Sequence, residues 1–150
     1  MQKITPFLWF NDNAEEAVNF YCSIFKNAQI ISTVPGPGGK VLTVDFELDG
    51  QRFAAINGGP MFTFTEAVSF VVSCDSQEEI DMYWDKLTED GQESMCAWLK
   101  DKYGLSWQIV PPILIQLLKD KDGAKSQRVM QAMLKMKKII IADLKKAAEG

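Results

Sequence analysis

The order strand, helix, strands is written twice along this chain, and that repetition limits what it can fold into more than any other feature. In the first copy, residues 4–10 read as a short aromatic strand. Pro6 cannot donate a ladder hydrogen bond, which suits an edge or a strand start. Asn13 with Glu16 three residues on is a capping-box-like start. Ala17, Phe20, Tyr21, Ile24 and Phe25 then recur at helical spacing, so the sequence predicts a helix over about 14–26. Extended segments follow at 29–34 and 41–48. In the latter, Leu42, Val44, Phe46 and Leu48 alternate with Thr43, Asp45 and Glu47. Asp49-Gly50 is a hairpin signal, residues 52–57 form the returning strand, and Gly58-Gly59-Pro60 closes the copy.

The second copy opens with an alternating strand at 68–74. Ser76-Gln77-Glu78-Glu79 is a cleaner capping box, and Ile80, Tyr83, Trp84 and Leu87 make an apolar helical stripe. Asp90-Gly91 stops that helix, and two strands follow around 96–100 and 105–110. Glu16 and Glu79 hold matching positions, and two copies of one supersecondary unit commonly share a core. After Pro111-Pro112 come a short apolar piece (113–118), a polar link (120–123) and one final helix predicted over about 124–148. Its stripe, Val129, Met133, Met136, Ile140 and Leu144, must bury against the chain's own sheet or against a second subunit. Lys125, Arg128, Lys135, Lys137, Lys138, Lys145 and Lys146 read as a solvated face around that stripe rather than a nucleic-acid or membrane surface.

At 150 residues, one domain or two small halves around a shared core are expected. A net charge of −4 disfavours general nucleic-acid binding. No stretch of 18 apolar residues exists to span a membrane, and residues 1–6 lack the apolar run of a signal peptide. Cys22, Cys74 and Cys96 are odd in number and widely spaced, which reads as reduced thiols in a cytoplasmic protein. The chain has no histidine, so a two-His-one-carboxylate iron site and a His-based zinc site are both impossible. Asp45 and Glu47 share a strand face: they either line a cleft as a carboxylate pair or form a solvated face opposite the core stripe. Trp9, Trp98 and Trp107 lie on predicted strands and either line a pocket or fill the core. Cys96 has no histidine to activate it and reads as a small packed thiol beside the pocket. The Gly-rich run at 35–40 precedes a strand and lacks the order of a P-loop, so it reads as a plain loop.

The segment 98–110 carries a further pattern: aromatic, Asp101, Gly104, aromatic Trp107, then the polar Gln108 inside an apolar strand. It resembles the last hairpin of the glyoxalase, bleomycin-resistance and dioxygenase (vicinal-oxygen-chelate) superfamily. Residues 4–10, Glu16-Ala17-Val18-Asn19-Phe20-Tyr21, Asn57-Gly58-Gly59-Pro60, 68–72, Trp84-Asp85-Lys86-Leu87 and the Cys96-x-Trp98-Leu99-x-Asp101 pattern are similar to its PhnB-like branch, often labelled 3-demethylubiquinone-9 3-methyltransferase. Ala97 stands where that branch usually has Gly.

The resemblance implies an α+β fold: two βαβββ modules forming a curled mixed β-sheet half-barrel, plus C-terminal helices. It corresponds to a single domain over 1–150, with module one about 3–60, module two about 66–112 and a C-terminal helical extension about 113–150. It implies a ligand cleft inside the curl and a homodimer. Metal-dependent members place a glutamate where this chain has Gln108, a poor ligand, so no metal and no other cofactor are expected. The expected function is metal-independent binding of a small organic ligand at Gln108, Trp107, Trp98, Trp9, Asn57 and Cys96, with Asn57 either the counterpart of Gln108 in the first module or a turn-forming residue. The alternative is an enzyme with a lyase, isomerase or transferase type of reaction using carboxylates or a non-His metal site. Gln108 itself either holds a ligand or is a structural amide.

Overall fold

The computed structural model of the protein describes residues 2–150, which divide into two compact units, residues 2–64 and 65–150. Each holds one open four-stranded mixed sheet. In the first unit β1 (Phe7–Phe10), α1 (Ala14–Ile24), β2 (Gln29–Pro35), β3 (Val41–Leu48) and β4 (Gln51–Asn57) build a sheet of order β1-β4-β3-β2. In the second, β5 (Ser69–Ser73), α2 (Gln77–Thr88), β6 (Gln92–Glu93), β7 (Trp98–Lys100) and β8 (Ser106–Val110) build β5-β8-β7-β6. In each sheet the first and last strands of the module run parallel and the other pairings are antiparallel. The βαβββ order therefore occurs twice, in an α+β fold.

Alternation along the strands decides which face meets the helix. In the first unit Leu8, Phe10, Val44, Phe46, Phe53 and Ala55 are buried together with Ala17, Val18, Tyr21 and Ile24 of α1. In the second, Leu99, Trp107 and Ile109 are buried with Ile80, Tyr83, Trp84 and Leu87 of α2. The β3–β4 hairpin closes on Asp49 and Gly50, φ 49° and 81°, the pair of left-handed residues a two-residue turn of this kind requires.

The final helix is not continuous. After α3 (Pro112–Leu118) come α4 (Gly123–Leu134) and α5 (Ile141–Glu149), separated by residues 135–140. The expected single helix over 124–148 is thus corrected: the intervening segment is drawn out of helix by hydrogen bonds to other parts of its unit. Of the expected stripe, Val129 and Leu144 are buried by the chain itself and Met133 and Met136 pack against them, but Ile139 rather than Ile140 is the buried residue of the link; Ala97 and Leu114 complete the cluster. The basic residues are spread among local partners. Lys125 meets Asp120 at 3.0 Å and Lys138 meets Asp81 at 2.9 Å. Arg128 donates to the carbonyls of Ala147 and Ala148 at the end of α5, where the helix dipole favours a cation.

Two other expectations change. The strand expected over 96–100 begins only at Trp98, because Cys96 and Ala97 are left-handed, φ 58° and 80°. The second copy also has a short fourth strand, β6, directly after α2, that the sequence did not signal.

Candidate functional site

In β8, Trp107 and Ile109 point to α2, so Ser106 and Gln108 share the opposite face. Register fixes their neighbours. Gln108 lies opposite Trp98 and Ser106 opposite Lys100 on β7; Val71 and Ser69 flank the same two residues from β5. One open face of the second sheet therefore carries Trp98, Lys100, Ser106, Gln108, Ser69 and Val71. Gln108 Nε2 donates to Ser69 Oγ at 2.9 Å, which holds the amide plane, while its Oε1 accepts no hydrogen bond among the described residues. A cleft of about 170 Å³ opens on this face, lined by Trp98, Lys100, Ser106, Glu66, Glu93 and Ser94. The Ser106 hydroxyl is fully buried at its edge and has no hydrogen-bond partner among the described residues. Lys100 Nζ sits 2.7 Å from Glu66, and that hydrogen bond and charge hold the Glu66 carboxyl below its ordinary range.

Trp107 faces the other way. It is buried against Phe70, ring centroids 5.7 Å apart, and its indole N–H donates to Asp101 Oδ2 at 2.9 Å. Asp101 is itself buried, and its Oδ1 accepts the backbone N–H groups of Tyr103 and Leu105. One carboxylate thus closes the β7–β8 turn and fixes the indole. Cys96 lies just before Trp98, and its N–H donates to the carbonyl of Met136 at 2.8 Å. Of the three thiols, Cys74 is pushed up to about 12, chiefly by burial, and burial also raises Cys22.

Asn57 and Trp9 belong to the first unit. Asn57 lies on the helix side of its sheet: Oδ1 accepts the N–H of Ala14 at 2.8 Å, and Nδ2 donates to the carbonyl of Val41 at 3.0 Å. Asn13 makes no side-chain cap, so Asn57 supplies one from across the module. Gln108 points away from its helix, so the two amides occupy opposite faces of equivalent sheets. Trp9 lies on the open face of the first sheet, donates to the carbonyl of Gly59 at 2.9 Å and meets Phe62 edge-on at 5.0 Å. A Cβ on Gly58 would stand 2.4 Å from the Trp9 ring, so only glycine lets the chain cross there. Asp45 and Glu47 are partly exposed, with Arg52 4.0 Å and Ser32 3.2 Å from Asp45, and Gln29 3.4 Å from Glu47.

Structure thus brings Trp98 and Gln108 together and adds Ser106, Ser69, Lys100 and Glu66, which sequence reasoning missed. The usable signal was the spacing of Ser106 and Gln108, two apart on one strand and therefore on one face. The donor set does not fit the superfamily's divalent metal: there is no histidine, Gln108 is neutral and tied to Ser69, and the described residues hold no group of three or more His, Cys, Asp or Glu able to hold an ion.

A sequence model of the family described as 3-demethylubiquinone-9 3-methyltransferase matches residues 2–110. The chain is similar to a solved PhnB protein from Bacillus cereus described in the same terms, at 41% identity and a TM-score of 0.68, over 73% of this chain and 99% of that one. It is similar in fold to a protein from Pseudomonas aeruginosa (20% identity, TM-score 0.63, 74% and 98% covered). The fosfomycin resistance protein FosX from Listeria monocytogenes shares the fold at 17% identity and a TM-score of 0.61, with 79% and 98% covered. No curated protein matches. S-adenosylmethionine, the cofactor that a methyltransferase description suggests, finds no glycine-rich strand-to-helix turn in the described residues. The run at 35–40 makes a short 3-10 turn that leads into β3.

Proposed function

Because the chain belongs to the family described as 3-demethylubiquinone-9 3-methyltransferase, the PhnB-like branch of the glyoxalase, bleomycin-resistance and dioxygenase superfamily, we propose that it binds a small, partly apolar organic ligand on the open face of its second sheet, without a metal. The observation that carries this reading is the Ser106 hydroxyl, buried without a partner at the edge of a cleft that Trp98 also lines. A buried hydroxyl with no hydrogen bond costs about 1–3 kcal/mol, and a ligand acceptor or donor placed there recovers it. Gln108 Oε1 offers a second free acceptor on the same face, for a ligand hydroxyl or amide. Trp98 supplies apolar area, and the Lys100–Glu66 ion pair a polar rim. At about 170 Å³ the cleft suits a ligand smaller than a drug-sized molecule.

The test is a thermal-shift screen of small hydroxylated and aromatic organic acids, followed by titration of any stabilising compound. Ser106→Ala removes the orphaned hydroxyl, so it should raise the stability of the free protein by about 1 kcal/mol while weakening the compound about three- to tenfold. Gln108→Ala should weaken it by a similar factor with little change in melting temperature. Loss of stability in Ser106→Ala, or unchanged affinity in both variants, removes this face as the site. We further propose a homodimer, supported by β2, an edge strand whose seven residues are all exposed and uncharged.

A further inference from the structure

The family match stops at residue 110, yet the chain continues into three helices that are fastened to the second module at defined points. The link between α4 and α5 is gripped on two sides. On one, Gln77 at the start of α2 donates through Nε2 to the carbonyl of Ile139 at 2.9 Å and accepts the N–H of Ile141 through Oε1 at 2.8 Å. Asp81, one turn on, binds Lys138. On the other, the N–H groups of Cys96 and Ala97 donate to the carbonyls of Met136 and Lys137 at 2.8 and 2.9 Å. The link therefore runs beside the residues that enter β7, where β6 has already ended at Glu93.

Those two residues are left-handed, a conformation that penalises side chains other than glycine. The Ala97 methyl is buried in the core of the C-terminal helices, with Leu114, Val129, Ile139 and Leu144. Trp98 is the next residue. We propose that residues 111–150 are a clamp: the Met136–Lys137 carbonyls hold a bend that would otherwise relax, and the bend sets how Trp98 is presented on the open face. Gln77 is the positioning residue that latches the clamp. The proposal rests on the reading of that face only in giving Trp98 a role; its test needs no ligand, so it stands or falls separately from whether anything binds.

In the full chain, Gln77→Ala should speed amide exchange at Cys96 and Ala97 about tenfold or more, from loss of its two hydrogen bonds to the link and one to Asp81, and shift the Trp98 indole N–H resonance. Gln77→Glu keeps the acceptor for Ile141 but loses the donors to Ile139 and to Asp81 and sets a second carboxylate beside Asp81; it should give a change of the same kind, and it serves if Gln77→Ala does not fold. Adding Ala97→Gly to either variant should bring the Trp98 resonance back toward its original position, because glycine adopts the bend unaided. Wild-type protection at Cys96 and Ala97 when Ile141 is released would overturn the proposal. So would a Trp98 resonance that stays put when that protection is lost, or one that Ala97→Gly fails to restore.

Discussion

The two modules share strand order, strand direction and helix placement, yet they secure those parts by different means. Module two closes its helix locally: Ser76 Oγ accepts the N–H of Glu79, and Glu79 reaches back to the N–H of Asp75. Module one caps α1 from a distant strand, through Asn57. Module one ends its last hairpin with a two-residue turn, whereas module two uses a longer turn gathered around the buried Asp101. At the β2 edge, module one leaves seven residues open; module two has a two-residue β6, and a C-terminal segment takes up the backbone beyond it. Similar topology does not require similar contacts.

The sharpest way to break this comparison is at Asp101. Asp101→Ala strands the buried Leu105 N–H and Trp107 indole N–H along with the Tyr103 amide. It should cost about 3–5 kcal/mol in denaturant unfolding. A cost under 1 kcal/mol would mean that the turn holds itself. Next, Asn57→Ala removes a cap and a strand contact together and should cost about 2 kcal/mol, against about 1 kcal/mol for Ser76→Ala. Equal values would erase the distinction between distant and local capping. The smallest effect on stability concerns the edges. Val34→Lys, at an exposed position of β2, should change unfolding by less than about 0.5 kcal/mol while shifting the mass seen by light scattering from two chains to one. A monomeric parent protein, or a variant that stays dimeric, would remove β2 as the contact.

Much of the fold was legible because its signals are local. The Asp49-Gly50 turn, the Ser76 capping box and the alternation of Val44, Phe46 and Leu48 each work within a few residues, so sequence spacing reports them directly. The candidate face was legible in part: Trp98 and Gln108 were named, but Ser106 was not, since only packing reveals that a serine hydroxyl is buried without a partner.

By itself, then, the sequence determined the repeated βαβββ order, the two amphipathic helices and the lack of any histidine ligand, because periodicity, turn chemistry and composition are properties of the chain alone. Tertiary structure decided the rest. Residues 135–140 contain no glycine or proline to stop a helix, and they leave it because Gln77, Asp81, Cys96 and Ala97 offer partners that helix geometry cannot reach. Asn57 caps α1 because the register of β4 points it there. In each case the deciding hydrogen bond joins residues far apart in the chain, and such partners exist only once the fold has formed.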